Sequence, residues 1–319
     1  MDWLKGQVRR ARSAWALNWS GKYPQELPEP PVGAISPRQS ARIDGLESVC
    51  LFLGPYRNLT TLTASVLFLH PECQVLNHAG GRILGRRELN FLVEYSEDKF
   101  RHFCNAALTM SQGGARGGYG GSIVLSHAFA EHEEMRKLFR ARYGSRLLKG
   151  SIKSLVWKES EMVGRYIHDH KVDLPDLIAR NQRLKFLLPI RNPLDCSLSI
   201  SRIGVARFYP ELKDGDVHSV LRSILEEIRW FVDLQGEDPT HFLFFFQDEV
   251  NAEVLQGLAE FLGLSHDGQW LKDSLKVYQL RRSYDYDAAL KDHYTDKVEE
   301  IFHSSPAVMN HLKGMVSAA

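Results

Sequence analysis

The sequence predicts an α/β protein of three layers, in which helices cover both faces of a central parallel sheet. Short apolar segments typical of buried strands lie near residues 49–54, 73–77, 154–158, 185–190 and 241–246. Segments with helical spacing separate most of them. Strands that alternate with helices favour a parallel sheet that is buried on both sides.

The chain has 319 residues, which is enough for one large α/β domain. We expect this domain to occupy residues 46–319, after an extension over 1–45. Within the extension, residues 3–19 place apolar side chains on one helical stripe, which suits either packing on the chain's own domain or a membrane-surface or partner helix. The prolines of 24–37 then predict an irregular connector.

The composition narrows the class of protein. The net charge is +1, from 40 basic and 39 acidic residues, so a nucleic-acid partner is not expected. The four cysteines have no C-x-x-C spacing, so neither a structural metal nor a disulfide framework is predicted. No apolar run reaches the ~18 residues of a membrane span, and we expect a cytoplasmic protein without integral membrane association.

The first informative motif is VCLFLGPYRNLTTLTASVLFLHP, residues 49–71. An apolar strand meets a short Gly-Pro turn, then Arg57, then Thr60 and Thr61 at the start of an apolar helix. Such a turn aims the free N–H groups of the first helical turn at one point, which suits an anion. The nucleotide-triphosphate signature G-x-x-x-x-G-K-S/T is absent. The motif therefore predicts an anion cradle that needs no metal.

The middle of the chain carries weaker signals. Residues 88–110 look helical, and 126–142 read as a charged, solvated helix. Between them lies a glycine-rich segment, 113–122, which we interpret as a surface connector or, alternatively, as a lid.

The second informative motif is KFLLPIRNPLDCSLSISRIG, residues 185–204. Its strand should lie beside the strand of the first motif, so that Arg191 emerges where open α/β sheets bind ligands. Pro193 suits the first turn of a helix. Asp195 and Ser199 then lie four residues apart, on one face of that helix. This arrangement also predicts phosphate binding.

Together, the two motifs resemble the 5′- and 3′-phosphate-binding elements of sulfotransferases that use 3′-phosphoadenosine-5′-phosphosulfate (PAPS). The family loop typically reads Lys or Arg, Ser, Gly, Thr, Thr. The strand and helix over 241–265, which end in Phe-Leu-Gly, are similar to a late family element, so the resemblance spans roughly 48–265. In the first motif, the residues that correspond to the family's phosphate-binding loop are Arg57, Asn58, Leu59, Thr60, Thr61 and Leu62.

The resemblance implies a P-loop-like sulfotransferase fold and transfer of a sulfonate from PAPS to a hydroxyl or amine of a small-molecule acceptor. The product would be 3′,5′-adenosine bisphosphate. Arg57 and its loop would bind the 5′-phosphosulfate, and Arg191 with Ser199 the 3′-phosphate. The family often closes this pocket with a basic carboxyl-terminal segment, for which Arg281 and Arg282 are candidates, unless they are a surface pair.

The resemblance also implies a histidine or glutamate base. His78, at the end of the strand near 73–77, is our first candidate. His127 is the rival, because IVLSHAF resembles the Thr-His segment of the cytosolic sulfotransferases. A histidine bonded to backbone is the alternative for either residue. Lys158, at the end of its strand, would orient the acceptor or the sulfonate.

Two alternatives to an enzyme of this kind stay open. The chain could be a non-catalytic nucleotide- or phosphate-binding module, because Leu59 stands where the family has glycine. A P-loop kinase fits less well, since the phosphate-binding lysine of its signature is missing. The sequence does not identify the acceptor, nor does it decide whether the chain forms a homo-oligomer.

Overall fold

The sheet of the protein has six strands. A computed structural model describes residues 33–114, 121–203, 216–278 and 284–317. The strand order is β3-β2-β4-β1-β5-β6, and every neighbouring pair is parallel except β2 with β3. The strands are Ser48–Phe52 (β1), Cys73–Asn77 (β2), Gly121–Ser122 (β3), Ser154–Lys158 (β4), Leu184–Ile190 (β5) and Phe242–Phe246 (β6).

The five predicted strands and their parallel arrangement are confirmed, whereas β3 was not expected. Its two residues end the glycine-rich segment and pair antiparallel with β2. The rest of that segment, 115–120, lies outside the described residues, as do residues 1–32 with the expected amino-terminal helix.

Helices cover both faces of the sheet, which confirms the three-layer α/β/α fold. Along β1, Val49 and Leu51 pack into one apolar core, and Cys50 and Phe52 pack into the other. The described helices are Pro37–Asp44 (α1), Thr60–Phe68 (α2), Gly80–Leu84 (α3), Glu97–Met110 (α4), His127–Glu131 (α5), Glu133–Tyr143 (α6), Met162–Asp169 (α7), Leu174–Arg180 (α8), Pro193–Ile203 (α9), Val217–Glu237 (α10), Ala252–Phe261 (α11), Gly268–Val277 (α12), Ala288–Phe302 (α13) and Pro306–Ser317 (α14).

Two helical expectations need correction. The helix expected over 88–110 begins only at Glu97, because the Ser96 hydroxyl caps it by accepting the N–H of Lys99. The helix expected over 126–142 breaks at His132 into α5 and α6, and α6 buries Phe139 instead of lying free in solvent.

A short helix that the sequence did not predict follows the connector. Residues 37–44 form α1, which Ser36 and Gln39 start with a reciprocal capping box. Ile43 from this helix is fully buried in the core of one sheet face. The boundary between residues 45 and 46 stays a prediction.

None of the described helices is both long enough and apolar enough to cross a lipid bilayer.

The order of the strands brings the two predicted motifs together. After β1, the chain forms β2, β3 and β4, which all lie on one side of β1. It then crosses to β5 and β6 on the other side, so the winding direction changes between β1 and β5. In the parallel register, Leu51 of β1 lies level with Trp157 of β4 and with Phe186 of β5. The turns after β1, β4 and β5 therefore share one edge of the sheet, at the switch point where such folds bind ligands.

The far end of α2 is held by a buried lysine. Lys149 Nζ donates to the carbonyl oxygens of Phe68, His70 (2.5 Å) and Cys73 (2.6 Å), and its side chain is buried. Burial lowers the pKa of Lys149 to about 7, so the amine makes these contacts while only part of it is charged at neutral pH. Lys149 thus fixes the helix whose opposite end follows the first motif.

We expect Lys149→Met to lower the free energy of unfolding by roughly 3 kcal/mol, because each buried acceptor left without a donor costs ~1–3 kcal/mol. Urea denaturation would measure this change. The matched control is Lys153→Met, whose lysine is half-buried and pairs with Glu47 at 3.4 Å; we expect a change of less than ~1 kcal/mol there. Equal midpoints for the two variants would contradict the role of Lys149.

Candidate active site

The turn after β1 has the geometry of an anion cradle. Gly54 has φ 108° and Leu59 has φ 58°, a left-handed conformation that favours glycine. A Cβ on Gly54 would lie 2.2 Å from Leu188 Cδ1, so this turn presses closely on β5. Leu59 keeps the left-handed turn, and its half-buried side chain packs against the apolar core instead of filling the cradle.

The first turn of α2 presents its backbone to this cradle. The N–H groups of the first residues of a helix have no partner within the helix, and they point towards an anion placed there. Leu62 has a buried side chain and can contribute only its N–H, whereas Thr61 is half-buried. Thr60 Oγ1 lies 2.6 Å from Ser160 Oγ, which ties the cradle to the turn after β4.

Direct hydrogen bonds join the two phosphate-binding motifs. Arg57 Nε donates to Ser199 Oγ at 2.9 Å, across 142 positions of the sequence. Asn58 is fully buried, and its Oδ1 accepts the N–H of Arg191 at 2.7 Å. Arg191 also donates to the carbonyl oxygen of Arg57 at 3.4 Å. The predicted neighbours are therefore in contact.

Arg191 is held by Asp195 and keeps one unsatisfied donor. Its Nη2 donates to Asp195 Oδ2 at 3.1 Å, and the residue is 8% exposed. Asp195 Oδ1 accepts from Tyr286 Oη at 2.5 Å and from the N–H of Tyr284 at 3.1 Å. Among the described residues, the buried Nε of Arg191 has no hydrogen-bond partner. An anionic oxygen at this position would satisfy it.

The turn after β4 adds a buried cation. Lys158 is 2% exposed, and burial lowers its pKa to about 8. The negative charge of Glu159 opposes this decrease, whereas the positive charge of Arg57 adds to it. Lys158 is therefore mostly charged at neutral pH and lies close enough to the cradle for its charge and that of Arg57 to interact.

His78 follows β2 and faces both members of the Lys158–Glu159 pair. Its Nδ1 lies 3.1 Å from Glu159 Oε1, and its Nε2 lies 3.3 Å from Lys158 Nζ. Burial lowers the pKa of His78, as does the charge of Lys158, and the carboxylate of Glu159 opposes both. The imidazole is therefore neutral at neutral pH and can accept a proton.

The structure brings together most of the residues that the sequence suggested. These residues lie near the carboxyl ends of the strands: Lys158 ends β4, Arg57, His78 and Arg191 lie in the turns after β1, β2 and β5, and Ser199 lies within α9. His127 is exposed at the start of α5, a helix that packs against α2, and it follows β3, which pairs with the carboxyl end of β2. Arg281 and Arg282 lie outside the described residues.

Sequence reasoning missed Glu159 and Ser160. Both are buried and contact residues of the site, His78 in one case and Thr60 in the other. Their position directly after Lys158, at the carboxyl end of a buried strand, was the signal that could have identified them.

Comparisons with known proteins gave structural similarities alone. No family model matches the chain, and no curated protein gives a significant match. The chain is similar to the mouse sulfotransferase SULT7A1 in a crystal structure complexed with PAP, at 12% identity and a TM-score of 0.44, over 89% of this chain and 95% of that one. It is also similar to a sulfotransferase from Alicyclobacillus acidocaldarius, at 11% identity and a TM-score of 0.36, over 80% and 96% of the two chains.

The low pKa of Lys158 predicts that anion binding weakens in mild alkali. A lysine with a pKa of about 8 is about nine-tenths deprotonated at pH 9, so affinity for an anion in the cradle, with inorganic sulfate as the probe, should fall roughly tenfold from its value near neutrality. Calorimetric titration between pH 6.5 and 9 would measure this. Lys158→Met should bind more weakly and lose the pH step. An unchanged step in the variant would assign the titration to another group.

Proposed function

We propose that the chain is a sulfotransferase that moves a sulfonate from PAPS to a hydroxyl or amine of a small-molecule acceptor. One observation carries the proposal. Two anion-binding turns, each predicted separately, meet through the Arg57–Ser199 and Asn58–Arg191 hydrogen bonds at the switch point of the sheet. Because the two anion-binding turns lie side by side, a single ligand with two phosphate groups fits them best.

The residues of the site fit the chemistry of this nucleotide. Arg191 has a buried donor without a partner in the described part of the chain, which suits the 3′-phosphate beside Ser199. The free N–H groups of α2, with Thr60 and Thr61, suit the 5′-phosphosulfate. Lys158 and Arg57 add positive charge on that side of the site.

PAPS, when bound, supplies an activated sulfonate, whose sulfur–oxygen bond to the 5′-phosphate breaks as the acceptor atom attacks the sulfur. Arg57 would neutralise the negative charge that grows on the bridging oxygen, which stabilises the transition state. Lys158 would hold the sulfonate oxygens or the acceptor. His78 would take the acceptor proton at Nε2, once the acceptor has displaced the Lys158 ammonium from that nitrogen. The product nucleotide is 3′,5′-adenosine bisphosphate.

One observation favours a second candidate, a non-catalytic nucleotide- or phosphate-binding module. Leu59 occupies the left-handed position of the cradle, where a side chain costs about 1–2 kcal/mol. A module of this kind would retain the Arg191 side of the site and would bind adenosine bisphosphate without turning over PAPS.

The experiment that tests the proposal is release of adenosine bisphosphate from PAPS in the presence of an acceptor library. We expect acceptor-dependent release and transfer of the sulfonate to one class of hydroxyl or amine. Binding of adenosine bisphosphate without release in any acceptor pool would favour the module. A thermal shift that is larger with ATP than with adenosine bisphosphate would contradict both candidates.

The role of Arg191 predicts discrimination between two nucleotides. Arg191→Ala should weaken adenosine bisphosphate by about 10²-fold, because a charge-assisted contact to phosphate is worth ~1.5–3 kcal/mol. Affinity for adenosine 5′-monophosphate, which has no 3′-phosphate, should change little. Equal losses for both nucleotides, measured by calorimetry, would move Arg191 away from the 3′-phosphate.

The choice of base predicts opposite results for two histidine variants. His78→Ala should lower kcat by 10²-fold or more and leave adenosine bisphosphate binding intact. His127→Ala should retain the rate, because it is His78 that lies beside Lys158 and Glu159, whereas His127 is exposed at the start of α5. The rate should fall in acid, where His78 becomes protonated and can no longer accept a proton. Burial lowers the pKa of His78, so this fall should occur below ~6.5, the ordinary pKa of histidine. An inactive His127→Ala with an active His78→Ala would reverse the assignment.

A further inference from the structure

We propose that Glu159 is a positioning residue, which holds His78 in the one tautomer that can act as a base, with the proton on Nδ1 and the lone pair on Nε2. This inference rests on the proposed function, in which His78 takes the acceptor proton. It adds a residue that acts through the base and does not itself touch the substrate.

Glu159 fixes the proton of the imidazole from one side. The residue is 3% exposed, and each of its carboxylate oxygens has a partner. Oε2 accepts the N–H of Gly80 at 2.8 Å, and Oε1 lies 3.1 Å from His78 Nδ1. An ionised carboxylate can only accept hydrogen bonds, so Nδ1 must carry the proton.

Lys158 fixes the same tautomer from the other side. Its ammonium group has three donors and no acceptor, and it lies 3.3 Å from His78 Nε2. The Nε2 lone pair therefore points at Lys158, and an acceptor hydroxyl or amine has to displace this contact before Nε2 can take its proton. Two neighbours of opposite charge thus select one tautomer of a neutral ring.

The backbone around His78 is strained in a way that supports this geometry. His78 has φ 65° and Ala79 has φ 83°, so two consecutive residues other than glycine are left-handed. The N–H of His78 donates to the carbonyl oxygen of Lys158 at 2.8 Å, and the indole N–H of Trp157 donates to the carbonyl oxygen of His78 at 2.8 Å. Both backbone polar groups of His78 are held, so the backbone from which the ring projects towards Glu159 is fixed.

Gly80 completes the turn around the carboxylate. A Cβ on Gly80 would lie 2.3 Å from Met162 Sδ and 3.0 Å from Glu159 Oε2, so only glycine lets the N–H approach. The Gly80 N–H therefore decides which oxygen of the Glu159 side chain is left for His78. The negative charge of Glu159 also stabilises the imidazolium that forms when Nε2 takes a proton.

The substitution Glu159→Gln tests this role of Glu159, because it removes the carboxylate and hardly changes the size of the side chain. The N–H of Gly80 requires an oxygen opposite it, so the amide NH₂ of the glutamine must face His78 Nδ1 and donate to it. The amide is held by Gly80, whereas the Lys158 side chain can turn away, so the ring would carry its proton on Nε2 and lose its contact with Lys158. Nε2 could then not take a proton from an acceptor. We expect kcat to fall by about 10²- to 10⁴-fold, the usual contribution of a general base, while adenosine bisphosphate binding is unchanged.

Nitrogen NMR of histidine-labelled protein reads the tautomer directly, and His78→Gln identifies the signal. The wild type should show the Nδ1–H form and Glu159→Gln the Nε2–H form. Glu260→Gln, at an exposed glutamate of α11, is the matched control and should keep both the wild-type tautomer and the wild-type rate.

The outcomes separate this inference from the proposed function. An Nε2–H tautomer in the wild type would overturn it even if Glu159→Gln does not fold, and so would an unchanged tautomer in the folded variant. Absence of PAPS turnover in the wild type would contradict the proposed function, whereas the tautomer measurement would still decide the role of Glu159.

Discussion

The hydrogen bond from the N–H of Arg191 to Asn58 Oδ1 is the contact on which the rest of the site depends. It is fully buried on the asparagine side and joins the turn after β1 to the turn after β5. The parallel register brings the two turns level, but registers alone do not fix the separation of two loops. A buried amide with a matched partner does, because leaving either group unpaired is costly. The Arg57–Ser199 contact then lies at a defined distance from Arg191.

The site concentrates positive charge, and acidic partners make this tolerable. Lys158 and Arg191 are almost entirely removed from water, where an isolated charge would be strongly unfavourable. Glu159 lies beside Lys158, and Asp195 pairs with Arg191 at 3.1 Å. Each carboxylate also binds a second element, Gly80 in one case and Tyr284 in the other. Glu159 and Asp195 therefore neutralise the buried cations and also connect separate segments of the chain.

The sequence predicted the parts of this molecule that have a local signal. Short apolar runs identified five strands, and the motifs around Arg57 and Arg191 identified neighbours, because order along a parallel sheet constrains which turns can meet. β3 has two residues and no apolar pattern, so no local sequence signal predicted it. The role of Glu159 depends on a left-handed turn at His78 and Ala79, and residues other than glycine give no sign of that conformation. Leu59 showed the limit most clearly, since its side chain packs on the core instead of crowding the cradle.

Backbone strain in the described part of the chain is concentrated at the edge of the sheet that carries the site. Six described residues other than glycine have left-handed φ values, and five of them lie in the turns after β1, β2 and β4; these five are Arg57, Leu59, His78, Ala79 and Glu161. Each costs about 1–2 kcal/mol and persists only where the surroundings hold it. The surroundings are the sheet and its two apolar cores, against which Leu59 and Ala79 of these turns also pack. Stability gained in the buried layers is therefore used to hold reactive side chains in orientations that the local sequence alone would not adopt.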